Sequence, residues 1–335
     1  VPLPKITYVD FKMTKLTLGE ESYTCLPDES VLDTLIRAEI DISYACKKGT
    51  CHSCIARSVN QSPPEAAQNG LKATQKQQNY FLTCQCYPEQ DMQIKLPDQS
   101  EIFSQGKVIL NEMLNHNTLL LKIECPDIQE YFAGQFVNLQ RDDGLIRSYS
   151  IANVPQKDGI LEFHIRRLTD GKFSEWLHDE IRIGDNIAVS EPQGHCFYIP
   201  ERAEQGLLLV GTGTGLAPLA GILEDALKQG HTGPVKLFHG SSTVEDLYRI
   251  DELRGFAEKY ANFSYFPCVS GKPVPEGYVA GRADKIALAH MDDWKGWRVF
   301  LCGHPDMVSS MKMEAFMKGV SIKDIFTDAF VVAAS

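Results

Sequence analysis

Cys46-Lys47-Lys48-Gly49-Thr50-Cys51-His52-Ser53-Cys54, followed after 29 further residues by Cys84, is the most informative stretch of this chain. The three loop cysteines read C-x4-C-x2-C. One tight loop can then present three thiolates to two irons while a distant segment supplies the fourth, as a [2Fe–2S] cluster requires. Gly49 and the small polar residues between the cysteines allow backbone N–H groups to turn towards the sulfurs. Other uses of cysteine fit less well. Structural zinc sites usually bring two paired knuckles, and the second pair here would be Cys84-x-Cys86. Ten cysteines in 335 residues are too few for a disulfide scaffold. Cys46, Cys51, Cys54 and Cys84 are therefore the expected metal ligands, and Cys86 a small buried residue. Such a cluster moves one electron at a time, so the rest of the chain should carry a source of electrons.

Composition narrows the class. The chain is 43% hydrophobic and 23% charged, with a net charge of −11, and is long enough for two or three domains. An acidic chain without a basic stripe argues against nucleic-acid binding. No apolar run approaches the roughly 20 residues of a membrane-spanning helix, so no membrane partner is expected. Val1-Pro2-Leu3-Pro4-Lys5 has no signal-peptide character, and the start at Val1 is read as processing or trimming. Unpaired cysteines and a thiolate-bound cluster favour a reducing cytoplasm.

Three segments differ in pattern. Residues 1–99 hold short alternating strands such as Lys15–Leu18. A helix is expected from Ser30, with a capping-box-like start and Leu32, Leu35 and Ile36 on one face. The polar stretch 61–78 reads as surface loop or short exposed helix. Residues 100–202 are rich in strands, among them Thr118–Ile123 and Leu161–Ile165, and suggest a small antiparallel β-barrel. Residues 203–335 begin with the buried run Gly206–Gly211 and then alternate helix and strand, as in an open parallel α/β sheet. The order of elements in the first segment resembles the β-grasp fold of plant-type ferredoxins. The expected fold class is thus multidomain α+β and α/β: a β-grasp ferredoxin domain, an antiparallel β-barrel and an open parallel α/β domain.

Arg147-Ser148-Tyr149-Ser150 is followed by His164-Ile165-Arg166-Arg167, by Gly171-Lys172-Phe173-Ser174 at an expected helix start, and by Glu191-Pro192-Gln193-Gly194. This succession resembles the flavin-binding domain of the ferredoxin–NADP reductase superfamily. A guanidinium such as Arg147 can neutralise a dinucleotide pyrophosphate through forked hydrogen bonds. Tyr149 can lay its ring on the isoalloxazine. The resemblance places Ser150 near flavin N5, and the turn Gly171–Ser174 offers backbone N–H groups at a helix N-terminus. His164, Arg166, Lys172 and Ser174 complete the expected flavin contacts, with FAD favoured over FMN by the resemblance.

Gly211-Thr212-Gly213-Thr214-Gly215-Leu216-Ala217-Pro218 follows a strand and opens a helix. Without side chains at the glycines a pyrophosphate can approach the backbone, and the helix N-terminus favours its charge. The pattern departs from G-x-G-x-x-G and matches the superfamily's G-x-G-x-G-x-A-P. Near the end, Cys302-Gly303-His304-Pro305-Asp306-Met307 resembles the family's C-G-x-P-x-M. That implies a thiol at Cys302, beside Gly303, which orients the nicotinamide without nucleophilic attack. Asp328 and Phe330 sit where relatives carry an acidic residue and an aromatic over the flavin, although Phe330 fits a core position equally. The region after the second strand of this segment reaches no arginine before Arg249, and Glu245 and Asp246 intervene. NADH is accordingly expected over NADPH, with Arg249 and the serines leaving some room for a 2′-phosphate.

The motif order of iron–sulfur, flavin and nicotinamide resembles the reductase components of bacterial multicomponent oxygenases. The resemblance implies that NADH reduces FAD, which passes single electrons through the [2Fe–2S] cluster to a terminal oxygenase or a small ferredoxin. It also implies a monomer. A reductase serving a deoxysugar dehydratase shares the same cofactors and order, and a redox sensor is a third, non-enzymatic reading. Residues 1–99 carry 10 Lys+Arg and 12 Asp+Glu, so most of the negative charge lies beyond them. Lys47 and Lys48 are either an ordinary solvated pair or a steering patch for an acidic partner.

Overall fold

A computed structural model of the protein describes residues 13–97 and 102–331. The boundary expected at 99/100 and the ends of the chain lie outside those residues. The chain forms two compact units, Val1–Ile102 and Phe103–Ser335. Among the described residues no helix is long and apolar enough to cross a membrane.

In the first unit, β1 (Thr14–Leu18) and β2 (Glu21–Cys25) form an antiparallel pair, followed by α1 (Val31–Arg37). Ser30 caps α1 by accepting from the Asp33 N–H, as the sequence leads one to expect. After the cysteine loop come β3 (Ile55–Ser58), α2 (Ala73–Gln77), β4 (Tyr80–Leu82) and β5 (Met92–Lys95). The polar stretch holds α2 and a 3-10 turn at Glu65–Gln68. The sheet order is β2-β1-β5-β3-β4, with β1 and β5 parallel. Leu16, Leu32, Leu35, Phe81 and Leu82 fill its core.

The second unit contains two six-stranded sheets. The first comprises β6 (Phe103–Met113), β7 (Thr118–Glu124), β8 (Phe136–Gln140), β9 (Ile146–Ser150), β10 (Ile160–Arg166) and, after α3 (Lys172–Asp179), β11 (Asn186–Ser190). Its order is β10-β7-β6-β11-β8-β9, antiparallel throughout. Alternation puts Leu121, Ile123, Phe163 and Ile165 inside.

The second sheet is wholly parallel. It is built from β12 (Leu207–Thr212), α4 (Leu216–Lys228), β13 (Val235–Ser241), α5 (Ile250–Lys259), β14 (Phe263–Val269), β15 (Val279–Ala280), α6 (Ala283–His290), β16 (Arg298–Gly303), α7 (Pro305–Met317) and β17 (Ile325–Ala329). The order β15-β14-β13-β12-β16-β17 reverses direction between β12 and β16. Hydrophobic clusters cover both faces, which is why β12 and β16 read as continuous apolar runs. A switch point of this kind opens a crevice at the carboxyl ends of the two strands.

Candidate functional site

The cysteine loop is wound around its own sulfurs. Lys47, Gly49 and His52 adopt positive φ, and a Cβ on Gly49 would meet the Gln85 side chain at 2.7 Å. That curvature aims N–H groups inward. Cys46 Sγ accepts from the N–H of Lys48 (3.3 Å), Thr50 (3.4 Å) and Cys51 (3.4 Å), and from the Thr50 hydroxyl. Cys51 Sγ accepts from the Cys46 N–H and from the Ser53 hydroxyl at 3.2 Å. Cys84 arrives because Thr83 donates its N–H and its hydroxyl to the Cys54 carbonyl, at 3.0 and 2.9 Å. Gln85 Nε2 reaches Cys84 Sγ.

The four sulfurs associate as two pairs, Cys46 with Cys51 and Cys54 with Cys84. The Cys51 thiol and the loop N–H groups hold Cys46 down to about 4. The Cys54 thiol lowers Cys84 to about 7, while Cys51 and Cys54 are pushed up by their partners and by burial. Two thiol pairs ringed by N–H donors fit two irons, two sulfurs each. Cys86 is fully buried.

On the antiparallel sheet, β9 carries Arg147 and Tyr149 on one face. Tyr149 packs on Phe173 with ring centroids 5.9 Å apart. Arg147 donates to the Ile146 carbonyl, and among the described residues no carboxylate pairs with Arg147 or Arg166. Gly171 at the start of α3 supplies no side-chain cap to the N–H groups of its first turn. Ser174 closes the preceding turn: its hydroxyl accepts from Leu168 N–H and donates to the Gly171 carbonyl, both at 3.1 Å. Lys172 is exposed beside it. His164 differs from the expectation of a flavin contact. Its ring is buried, with Nε2 on Glu162 (3.2 Å) and Nδ1 on the Tyr248 hydroxyl (3.1 Å).

The switch point of the parallel sheet is packed backbone against backbone. A Cβ on Gly215 would fall 2.3 Å from the Cys302 carbonyl oxygen, and one on Gly303 (φ +115°) 2.5 Å from Thr212 Oγ1. Thr212 Oγ1 also accepts from the His304 N–H at 3.0 Å. Gly211 and Gly215 are buried, while Thr212, Gly213 and Thr214 line the surface. Pro218, expected among the nucleotide contacts, is buried in the first turn of α4, where its missing N–H costs no helical bond. Arg166 Nη1 lies 3.9 Å from the place of a Cβ on Gly213.

The two sheets meet at these motifs. Ser150 Oγ donates to Asp328 Oδ2 at 2.6 Å. Asp328 is opposite Cys302 in the β16–β17 register. Burial pushes the Asp328 carboxyl up to about 6, against the pull of the Ser150 bond. Burial also raises the Cys302 thiol well above its usual value. Ser150, Asp328 and Cys302 thus converge. Phe330 is half-buried, and its N–H donates to the Gly303 carbonyl at 2.8 Å.

Sequence reasoning missed Cys196, whose Sγ lies 3.7 Å from Cys302 Sγ, and Tyr248 and His239 at the same seam. No local pattern marks them, since their partners are remote in sequence. Arg249 is also corrected. It gives no room for a 2′-phosphate, because Glu252 (2.5 Å), Glu224 (3.2 Å) and Glu162 (3.7 Å) surround its guanidinium. Lys47 is committed to Asp33 at 3.0 Å, which leaves Lys48 exposed at the loop.

The chain matches three known domain families. Residues 16–89 match the 2Fe-2S iron-sulfur cluster binding domain, 105–198 the oxidoreductase FAD-binding domain and 209–313 the oxidoreductase NAD-binding domain. The chain is 30% identical over 307 residues to the ferredoxin–NAD(P)+ reductase component of the naphthalene 1,2-dioxygenase system of Pseudomonas putida. That alignment covers 90% of this chain and 93% of the relative. It is 28% identical over 310 residues to a CDP-6-deoxy-L-threo-D-glycero-4-hexulose-3-dehydrase reductase of Yersinia pestis, covering 90% and 93%. A solved ferredoxin reductase of carbazole 1,9a-dioxygenase superposes with a TM-score of 0.66 at 26% identity, covering 96% of this chain and 99% of that one.

Proposed function

The chain belongs to the family of ferredoxin–NAD(P)+ reductase components of oxygenase systems, and from that premise we propose that it carries electrons from NADH to an external terminal oxygenase or its ferredoxin. When bound, FAD takes two electrons from NADH and releases them singly, and the [2Fe–2S] cluster relays one at a time. The observation that carries the reading is the convergence of Ser150, Asp328 and Cys302 where the antiparallel sheet meets the switch point of the parallel one.

The residues divide the work. Cys46, Cys51, Cys54 and Cys84 hold the irons, and the loop N–H groups stabilise negative charge on the sulfurs. Arg147, the first turn of α3 and Lys172 hold the flavin pyrophosphate, while Tyr149 shields one face of the ring. Thr212–Thr214 and Arg166 receive the dinucleotide phosphates. Cys302 and Gly303 seat the nicotinamide edge, and Ser150 with Asp328 fixes the hydrogen-bonding edge of the flavin. Phe330 borders this place. NADH is preferred because Arg249, the first arginine after β13, is held by carboxylates.

We read the units as three domains: a β-grasp ferredoxin domain (1–99), a flavin barrel (100–202) and a nucleotide-binding domain (203–335). The barrel reading is supported by the Ala152 N–H bonded to the Glu162 carbonyl at 2.8 Å, which ties the segment after β9 to β10 at the far end of the sheet order. A cytoplasmic monomer fits the same reading. The relative named as a dehydrase reductase supports a second destination for the electrons, an enzyme of deoxysugar synthesis.

An anaerobic titration tests the proposal. About 1.5 equivalents of NADH should bleach both flavin and cluster absorption, since the two cofactors hold three electrons; NADPH should act far more weakly. Flavin bleaching alone would break the proposed route to the cluster. No response to either nucleotide would refute the reading.

A further inference from the structure

We propose that His239 is a positioning residue for the dinucleotide, acting by fixing the direction of the Gly213–Thr214 peptide. The inference rests on the nucleotide-binding reading of the Gly211–Gly215 loop.

His239 lies on β13 and is fully buried. Its Nε2 is 3.2 Å from the Gly213 carbonyl oxygen, and its Nδ1 3.4 Å from the Tyr265 hydroxyl. A carbonyl only accepts, so Nε2 carries the hydrogen and Nδ1 accepts from Tyr265. The ring is kept neutral because burial pushes its pKa down to about 4, with the Gly213 bond opposing. The tautomer therefore stays the same across the working pH range.

The ring is also clamped. Tyr248 stands edge-on to His239 (5.6 Å, 82°) and to His164 (5.2 Å, 88°). The acceptor Glu162 fixes the hydrogen of His164 on Nε2, so its Nδ1 accepts from the Tyr248 hydroxyl. Glu162 and His164 belong to β10 of the antiparallel sheet. One buried cluster thus sets the nucleotide loop relative to the sheet that bears the flavin motif.

Gly213 has φ +55°, a conformation open to glycine at little cost. In a trans peptide the C=O and the following N–H point in opposite directions. Holding the Gly213 oxygen inward therefore turns the Thr214 N–H outward, towards an arriving phosphate. A flipped peptide would present a carbonyl oxygen to that anion instead. The Leu216 N–H also bonds the Gly213 oxygen, so loss of the imidazole loosens the turn without destroying it.

The test compares His239→Phe, His239→Asn and His239→Gln in the full-length holoprotein. The measurements are the dissociation constant for NADH, the limiting rate of flavin reduction and the melting temperature. Gln carries an amide N–H as far out as imidazole Nε2; Asn does not. Phe and Asn should raise the dissociation constant roughly 3–10-fold, the worth of one hydrogen bond. The limiting rate should stay within about twofold, and Gln should restore most of the affinity. Equal affinities in Asn and Gln, or a fall in limiting rate with unchanged affinity, would overturn the inference. If Phe fails to fold, the Asn–Gln comparison decides alone. Failure of NADH to reduce even the wild type would overturn the function proposed above and this inference with it. A normal wild type with indifferent variants would overturn the inference alone.

Discussion

Removing the Ser150 hydroxyl should displace the titration of Asp328, which burial raises to about 6. The hydroxyl donates to Asp328 Oδ2 at 2.6 Å, and burial already raises that carboxyl to about 6. A hydrogen bond to a charged group contributes about 1.5–3 kcal/mol, and each pH unit corresponds to about 1.36 kcal/mol. Ser150→Ala should therefore move the Asp328 titration up by about one to two units, into the range of about 7–8. The assay is the limiting rate of flavin reduction by saturating NADH between pH 5 and 9, roughly spanning both titrations. The wild-type inflection near 6 should move upward in Ser150→Ala and vanish in Asp328→Asn. Stability supplies an independent readout. The folded value of Asp328 lies above its unfolded one, so this group opposes folding progressively as pH rises through about 4 to 6. In Ser150→Ala that loss should continue to higher pH, and the melting temperature of the second unit should keep falling there. Superimposable pH profiles for wild type and Ser150→Ala would refute the coupling.

Ser53→Ala removes one O–H···S bond from Cys51, so the cluster potential should fall by about 40 mV in a redox titration, the equivalent of roughly 1 kcal/mol for one electron; an unchanged potential would mean that Ser53 does not tune the cluster. Gly215→Ala would force a Cβ to within 2.3 Å of the Cys302 carbonyl oxygen, and the KM for NADH should rise more than about tenfold while flavin and cluster absorption remain. Arg249→Met strips three carboxylates of their shared cation, two of them mostly buried. It should cost about 2–4 kcal/mol after allowance for solvent at Glu252, roughly 5–15 °C in the melting temperature of this unit, with no gain in activity with NADPH. A shift below about 2 °C would contradict the network.

Much of the chemistry of this protein is written locally. The cysteine spacing, the G-x-G-x-G loop after a buried strand and the Ser30 cap each depend on residues that are neighbours along the chain, so a reader of sequence alone finds them. So do the strands at Thr118–Glu124, Ile160–Arg166 and Leu207–Thr212, because alternation and continuous apolar runs follow directly from which faces are buried. The pairing of partners is different. Ser150 meets Asp328 across 178 positions, and Cys196 meets Cys302 across 106; only the stacking of two sheets brings them together. The direction of a side chain is likewise a tertiary matter. His164 occupies a motif position yet is bonded to Glu162 and Tyr248, and Arg249 reads as an available cation until three glutamates are seen around it. A hydrogen bond or ion pair is selected by distance in space over a few ångströms. The sequence states which groups exist and how the backbone alternates, while the fold decides which of those groups are already spent on one another and which are left for a ligand.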